Sequence, residues 1–112
     1  SDYSLREHQN ISVCGQLSGV EGYMESASSG IAAALAVARK LEGKEPIRFP
    51  DFTMIGALSK YISDETVTKF QPMGANFGVL PPTAEKIKDK SERYSALSAR
   101  SLSWFDENCG KF

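Results

Sequence analysis

Four polar side chains, Gln16, Ser18, Glu21 and Tyr23, fall within eight residues between two apolar stretches, with Gly15 just before them and Gly19 and Gly22 interleaved among them. Residues of these types can offer amide, hydroxyl and carboxylate groups, together with bare backbone, to a ligand lying against a turn. Ligands in α/β folds bind beyond the carboxyl ends of strands. A helix that begins there adds unpaired N–H groups, which suit anionic or electron-rich atoms. A β–α connection that needs glycine only to turn the chain has the same sparse pattern, so the glycines alone are unspecific.

The other reactive residues carry less. Glu21 and Glu25 lie four apart near the expected helix start, where the helix dipole favours carboxylates whatever their role. Nothing in the sequence indicates the desolvation that an acid–base pair requires. Cys14 reads as a small buried hydrophobe at a strand end, and His8 as a solvated residue in the polar lead-in, so the two make a poor nucleophile–base pair. Cys14 and Cys109 are too few for a disulfide scaffold or a structural zinc site. No catalytic residue and no metal ligand is assigned. Lys86, Lys88, Lys90, Arg93 and Arg100, set against Asp89 and Glu92, give residues 86–100 five positive and two negative charges, a net of +3. This is either a solvated segment leading into a helix or a set of phosphate contacts to RNA. Tyr94 in its midst could stack on a base, but it also fits an apolar stripe, which is the preferred reading.

The elements that must position these groups follow from periodicity. Residues 11–14 read as a short buried strand, being apolar and β-branched before a glycine. Residues 15–22 form the turn. A helix is expected from about Tyr23 to Leu41, with Met24, Ala27, Ile31, Ala34, Leu35, Ala38 and Leu41 at steps of three and four. Its side chains are small, which predicts a buried or closely docked helix. Gly43 should end it, with Arg39, Lys40 and Lys44 near the negative end of the dipole. An extended connector, Pro46 to Pro50, leads to a shorter helix from residue 52 that Thr53 could cap and Ser63-Asp64 closes. Residues 76–80 read as a short strand or extended piece, and Gly74 and Gly78 suggest special backbone geometry or close approach. The segment from Phe70 to Gly78 could support a neighbouring cofactor site or simply pack as a connector. A last, half-exposed helix is expected from about Ser91 to Glu107, with Asp89 and Ser91 as competing caps.

Length bounds the rest. A chain of 112 residues suits one small domain or a piece of a larger one. At 41% hydrophobic content it can form a packed core, and a net charge of -1 gives no bulk reason to bind nucleic acid. No apolar run is long enough to cross a bilayer, and no signal-peptide pattern is present. The abrupt opening on Ser1-Asp2-Tyr3, without Met, hints at a piece of a longer chain.

Taken together, Cys14-Gly-Gln-Leu-Ser-Gly-Val-Glu-Gly-Tyr-Met-Glu-Ser-Ala-Ser-Ser-Gly30 resembles the signature of the folate- and FAD-dependent tRNA (uracil-5-)-methyltransferases, the TrmFO or Gid family. The likeness continues through Leu41-Glu-Gly-Lys-Glu-Pro46, Phe49-Pro50, Ile55-Gly-Ala-Leu58, Phe70-Gln-Pro-Met-Gly-Ala-Asn-Phe-Gly78 and Lys86-Ile-Lys-Asp-Lys-Ser-Glu-Arg-Tyr94, and so spans about residues 11–102. The related GidA or MnmG flavoproteins, which modify tRNA uridines with a partner protein, share the Gly-Gln and Gly-Tyr-x-Glu block.

The resemblance implies an α-rich α/β chain from the C-terminal part of a longer enzyme, with residues 1–45 as the last strand–turn–helix of its FAD-binding, Rossmann-like domain and 46–112 as a C-terminal extension. It implies methylation of C5 of the T-loop uridine of tRNA with methylenetetrahydrofolate, FAD and NAD(P)H, in the cytoplasm. By the same likeness, Gly15, Gln16, Glu21, Gly22 and Tyr23 would face FAD, and Lys86, Lys88, Lys90 and Arg93 could contact tRNA. The family's Gly-x-Gly-x-x-Gly and its catalytic cysteines have no counterpart in these residues, and Cys14 stands where the family usually has Ala. The chain alone is therefore expected to be inactive, to bind FAD weakly or not at all, and to self-associate through surface meant for the rest of the parent chain. A stand-alone binding module and a piece of a GidA-type flavoprotein are the alternatives.

Overall fold

In the computed structural model, which describes residues 2–112, the sequence's α-rich α/β character takes the form of three helices around a minimal parallel sheet. Helix α1 (Tyr23–Leu41) has the expected bounds. It ends as its sequence predicts: Gly43 adopts φ +71°, its N–H donates to the Lys40 carbonyl at 3.1 Å, and the Lys44 N–H donates to the Arg39 carbonyl at 2.8 Å. This is the Schellman arrangement, open to glycine at little steric cost. Helix α2 (Met54–Ile62) is capped by Thr53, whose Oγ1 accepts the Gly56 N–H at 3.1 Å. Its glycine is required by packing, since a Cβ on Gly56 would collide with the carbonyls of Phe49 and Pro50. Helix α3 (Lys90–Asn108) starts at Asp89, whose carboxylate accepts the Glu92 N–H at 2.8 Å, so Asp89 and not Ser91 is the cap.

Two strand expectations are corrected. Residues 11–14 lie extended but form no strand: a single antiparallel bridge joins Ser4 and Ser12, and Ile11 is exposed. β-Branched residues favour extended backbone, but a ladder also needs a neighbour, and here only the turn-back of residues 3–5 offers one. Cys14 is exposed, not buried. Residues 76–80 are likewise no strand. Asn76 Oδ1 accepts the Gly78 N–H at 2.9 Å and winds Phe77–Val79 into a 3-10 turn, a local bond that competes with extended pairing. The sheet lies elsewhere. Strand β1 (Val20–Glu21), inside the supposed turn, pairs in parallel with β2 (Met73–Gly74), in the register Val20–Met73 and Glu21–Gly74.

The face that α1 buries is also corrected. Ser29, Ala32, Ala33 and Ala36 are buried, whereas Met24, Ile31 and Leu41, from the expected stripe, are 77%, 63% and 84% exposed. Both sides of the helix are apolar, so periodicity alone cannot choose between them. Close approach selects the side with the smallest side chains. Ala32 and Ala33 pack with Tyr3, Phe49, Ile55 and Ile62 in one core cluster. A second cluster joins Ala57, Leu80 and Leu97 with Met54, Phe77, Val79 and Tyr94, placing Tyr94 in the stripe as expected. Leu102, expected on that stripe, is 63% exposed, and Trp104 packs instead, in an aromatic group with Phe49, Phe105 and Phe112.

Candidate functional site

The turn is built from three glycines with positive φ, at +68° (Gly15), +98° (Gly19) and +106° (Gly22). Cys14 leads into a 3-10 turn, Gly15–Ser18; Gly19 reverses the chain in the left-handed region; β1 follows; and Gly22 starts α1. The Gly15 N–H donates to Ser29 Oγ at 2.8 Å, and that hydroxyl donates to the Ser26 carbonyl at 2.8 Å, which ties the turn to α1.

Two features suit a ligand. First, α1 opens on Gly22, which has no side chain to cap it, with the Glu25 carboxylate lying against that glycine. The amides of Tyr23, Met24 and Glu25 are the orphan donors of such a helix start, backed by the positive end of the dipole. Secondly, Ser26 Oγ is buried without a hydrogen-bond partner among the described residues, and a Cβ on Gly15 would lie 4.0 Å from it. Free amides, an orphan hydroxyl and bare backbone fit an electron-rich heterocycle with hydrogen-bonding edges, such as a flavin.

Of the five residues proposed from the sequence for cofactor contact, Gln16, Glu21 and Tyr23 are exposed, Tyr23 at 94%. Gly15 and Gly22 are half-buried in the turn. They share one loop and helix start, but on an open surface. A cleft of about 120 Å³ below, lined by Val20, Met24, Glu25, Ser28, Met54 and Ala75 among others, is far too small for a dinucleotide.

The segment from Phe70 onward is the neighbour that sequence reasoning left open. The Phe70 ring lies against Gly19, so that a Cβ there would strike it. The Met73 N–H donates to the Gly19 carbonyl at 3.0 Å, and the Ala75 N–H donates to Glu25 Oε1 at 2.7 Å. Glu25, expected near the helix start either for the dipole or as half of a carboxylate pair, has this backbone amide as its partner. The signal was present in Gly19, Gly74 and the aromatic at 70, but their pairing is long-range.

The basic cluster divides. Arg93 donates to the carbonyls of Ile87 at 3.2 Å and Lys88 at 3.5 Å, and Arg100 to those of Pro81 at 2.8 Å and Pro82 at 3.1 Å. Both arginines fasten the chain before α3 onto that helix. Lys86, Lys88 and Lys90 are exposed and carry no ion pair among the described residues. Tyr94 stacks on Phe77 at 4.2 Å, with Lys90 and Arg93 about its ring.

Among the described residues no helix is long and apolar enough to cross a membrane. Residues 1–45 match the family described as Glucose inhibited division protein A. The chain is also 49% identical over 105 residues to "Methylenetetrahydrofolate--tRNA-(uracil-5-)-methyltransferase TrmFO" of Staphylococcus aureus (strain Newman), covering 93% of this chain and 24% of that protein. It is 48% identical over 105 residues to the protein of that name from Staphylococcus epidermidis, with the same coverage. The Halalkalibacterium halodurans protein of that name is 46% identical over 100 residues, 89% of this chain and 23% of the relative. The chain thus spans about a quarter of the length of the curated relatives it matches. Its glycine turn, its open helix start and the segment that packs on them all lie within a chain that resembles, over nearly its whole length, part of the TrmFO tRNA methyltransferases.

Proposed function

We propose that this chain supplies the flavin-facing turn of a folate- and FAD-dependent tRNA (uracil-5-)-methyltransferase. Residues 1–45 would end its FAD-binding domain and 46–112 form a C-terminal extension. The observation that carries the reading is the uncapped start of α1 at Gly22, within a chain nearly half identical to TrmFO proteins. In this reading Gly15 and Gly22 let the backbone approach the ring, the Tyr23 and Met24 amides face its electron-rich edge, and Gln16, Glu21 and Tyr23 border it. Bound there, FAD would supply the reducing chemistry for a one-carbon unit from methylenetetrahydrofolate, with NAD(P)H as the source of electrons. The positive end of the α1 dipole would stabilise negative charge on a reduced flavin held at this helix start. The product is a methyl group on C5 of the T-loop uridine of a cytoplasmic tRNA.

Because the turn is open on one side, the chain by itself holds at most the ring end of the cofactor and has no methyltransferase activity. Titration of the chain with FAD, followed by flavin fluorescence, tests this: no quenching at micromolar concentration is expected, and tight stoichiometric binding would sink it. The exposed stripe of Met24, Ile31 and Leu41 supports self-association of the isolated chain. Sedimentation is expected to show an oligomer, and a monomer at micromolar concentration would refute it.

Lys86, Lys88 and Lys90 are the tRNA contacts in this reading, with Arg93 holding their segment in place. Replacing all three lysines by alanine in the full-length enzyme should lower the slope of log affinity against log salt by about 2–3, roughly one unit per phosphate contact. An unchanged slope would remove tRNA from this surface.

A further inference from the structure

We propose that Phe70 and Glu25 are positioning residues, which clamp the Gly19–Gly22 turn so that the start of α1 stays aligned for the flavin. The proposal rests on the cofactor reading above and adds the device that makes it work.

Three glycines with positive φ in eight residues give this turn more backbone freedom than an ordinary loop. A binding site must nevertheless hold its donors to within about 0.5 Å. Between Gly15 and Gly22, the turn's long-range restraints are its bond to Ser29 and its contacts with residues 70–75. Phe70 fills the space that the missing side chain of Gly19 leaves. It is held from behind by Tyr61, whose ring stacks on it at 5.6 Å and whose hydroxyl donates to the Gln71 carbonyl at 2.8 Å. The β1–β2 pairing and the bond from Met73 N–H to the Gly19 carbonyl fix the turn's height against that segment.

Glu25 completes the clamp. A carboxylate in the first turn of a helix is placed to fold back and cap the free amides. Here its Oε1 takes the Ala75 N–H at 2.7 Å while the carboxylate lies against Gly22, the first residue of the helix start. That one carboxylate therefore ties the glycine at the start of α1 to the segment that follows β2.

The test uses full-length TrmFO-type protein containing this chain, with FAD affinity, the shape of the flavin absorption band and the melting temperature of the apoprotein as readouts. Phe70→Ala and Glu25→Ala should each weaken FAD about tenfold, the loss of roughly one charge-assisted hydrogen bond or ring contact, and blur the band. Phe70→Tyr and Glu25→Gln, which keep the ring and an acceptor oxygen, should stay within about twofold of the unmodified protein. Alanine variants that bind FAD as the parent does, with an unchanged band, overturn the clamp and leave the cofactor reading standing. Conservative variants as weak as the alanine ones, with a matching fall in apoprotein melting temperature, reduce Phe70 and Glu25 to structural residues and also overturn it. An unmodified protein that binds no FAD overturns the cofactor reading and the clamp with it.

Discussion

Helices α1 and α3 are each 19 residues long, yet they begin in opposite ways. α3 starts at Asp89, which closes its own helix end by accepting the Glu92 N–H. α1 starts at Gly22, which has no side chain to close it, and Glu25, whose carboxylate lies against that glycine, bonds the Ala75 N–H. Their packing differs too. α3 buries one residue, Leu97, whereas α1 buries four small ones. A helix whose orphan donors are satisfied internally is finished as a structural part. One that leaves them free, while its body is firmly docked, is arranged to use them on something else.

The contrast is breakable at several points. The largest effect is expected for Leu97→Ala, which removes the buried anchor of α3 between Ala57 and Leu80 and should cost about 3 kcal/mol in denaturant unfolding of the chain. A loss below about 1 kcal/mol would mean that α3 is held chiefly by its aromatic end. Next comes Gly22→Ala. It forces an L-residue into φ +106° and pushes its Cβ against the Glu25 carboxylate, for about 2 kcal/mol. In full-length protein this variant should lose FAD affinity, whereas Leu97→Ala should lose stability first. Asp89→Ala should cost about 1 kcal/mol and leave FAD binding untouched; a fall in FAD affinity would erase the distinction between the two helix starts.

The smallest effect concerns the anchor of α1. Tyr3 packs on Ala32 and Ala33, and its hydroxyl shares a 2.7 Å hydrogen bond with buried Ser59. Burial holds the Tyr3 phenol above its ordinary value, against the pull of the Ser59 bond and with a lesser push from Cys14. The folded state thus keeps this proton to higher pH than the unfolded chain. The stabilisation is whole below the ordinary phenol value of about 10 and is lost as pH rises through the folded value. Tyr3→Phe should cost about 0.5–1 kcal/mol at neutral pH and flatten the alkaline limb of the stability–pH curve. An unchanged limb would assign it to other groups.

How much of this could be read from residues alone divides along the same line. Local chemistry was legible: the stop of α1 at Gly43 and the caps Thr53 and Asp89 follow from residues acting within one turn of backbone. Long-range choices were not. The strand expected at 11–14 found only one bridge, and the true sheet pairs residues more than fifty positions apart. The buried face of α1 is not legible in sequence, because both of its sides are apolar and only close packing separates Ala33 from Ile31. For the candidate site, the turn and its five residues stood out in sequence, but the tie from Glu25 to Ala75 did not, since neither residue type announces the other.

The outward stripe of α1 has a calorimetric consequence. Met24, Ile31 and Leu41 hold apolar surface in water, and whatever covers them releases that water. The event carries a negative heat-capacity change in proportion to the area covered, with little enthalpy of its own near room temperature. Association measured at several temperatures therefore reports how much of this helix is being sealed, whether the cover is a second copy or the rest of a longer chain.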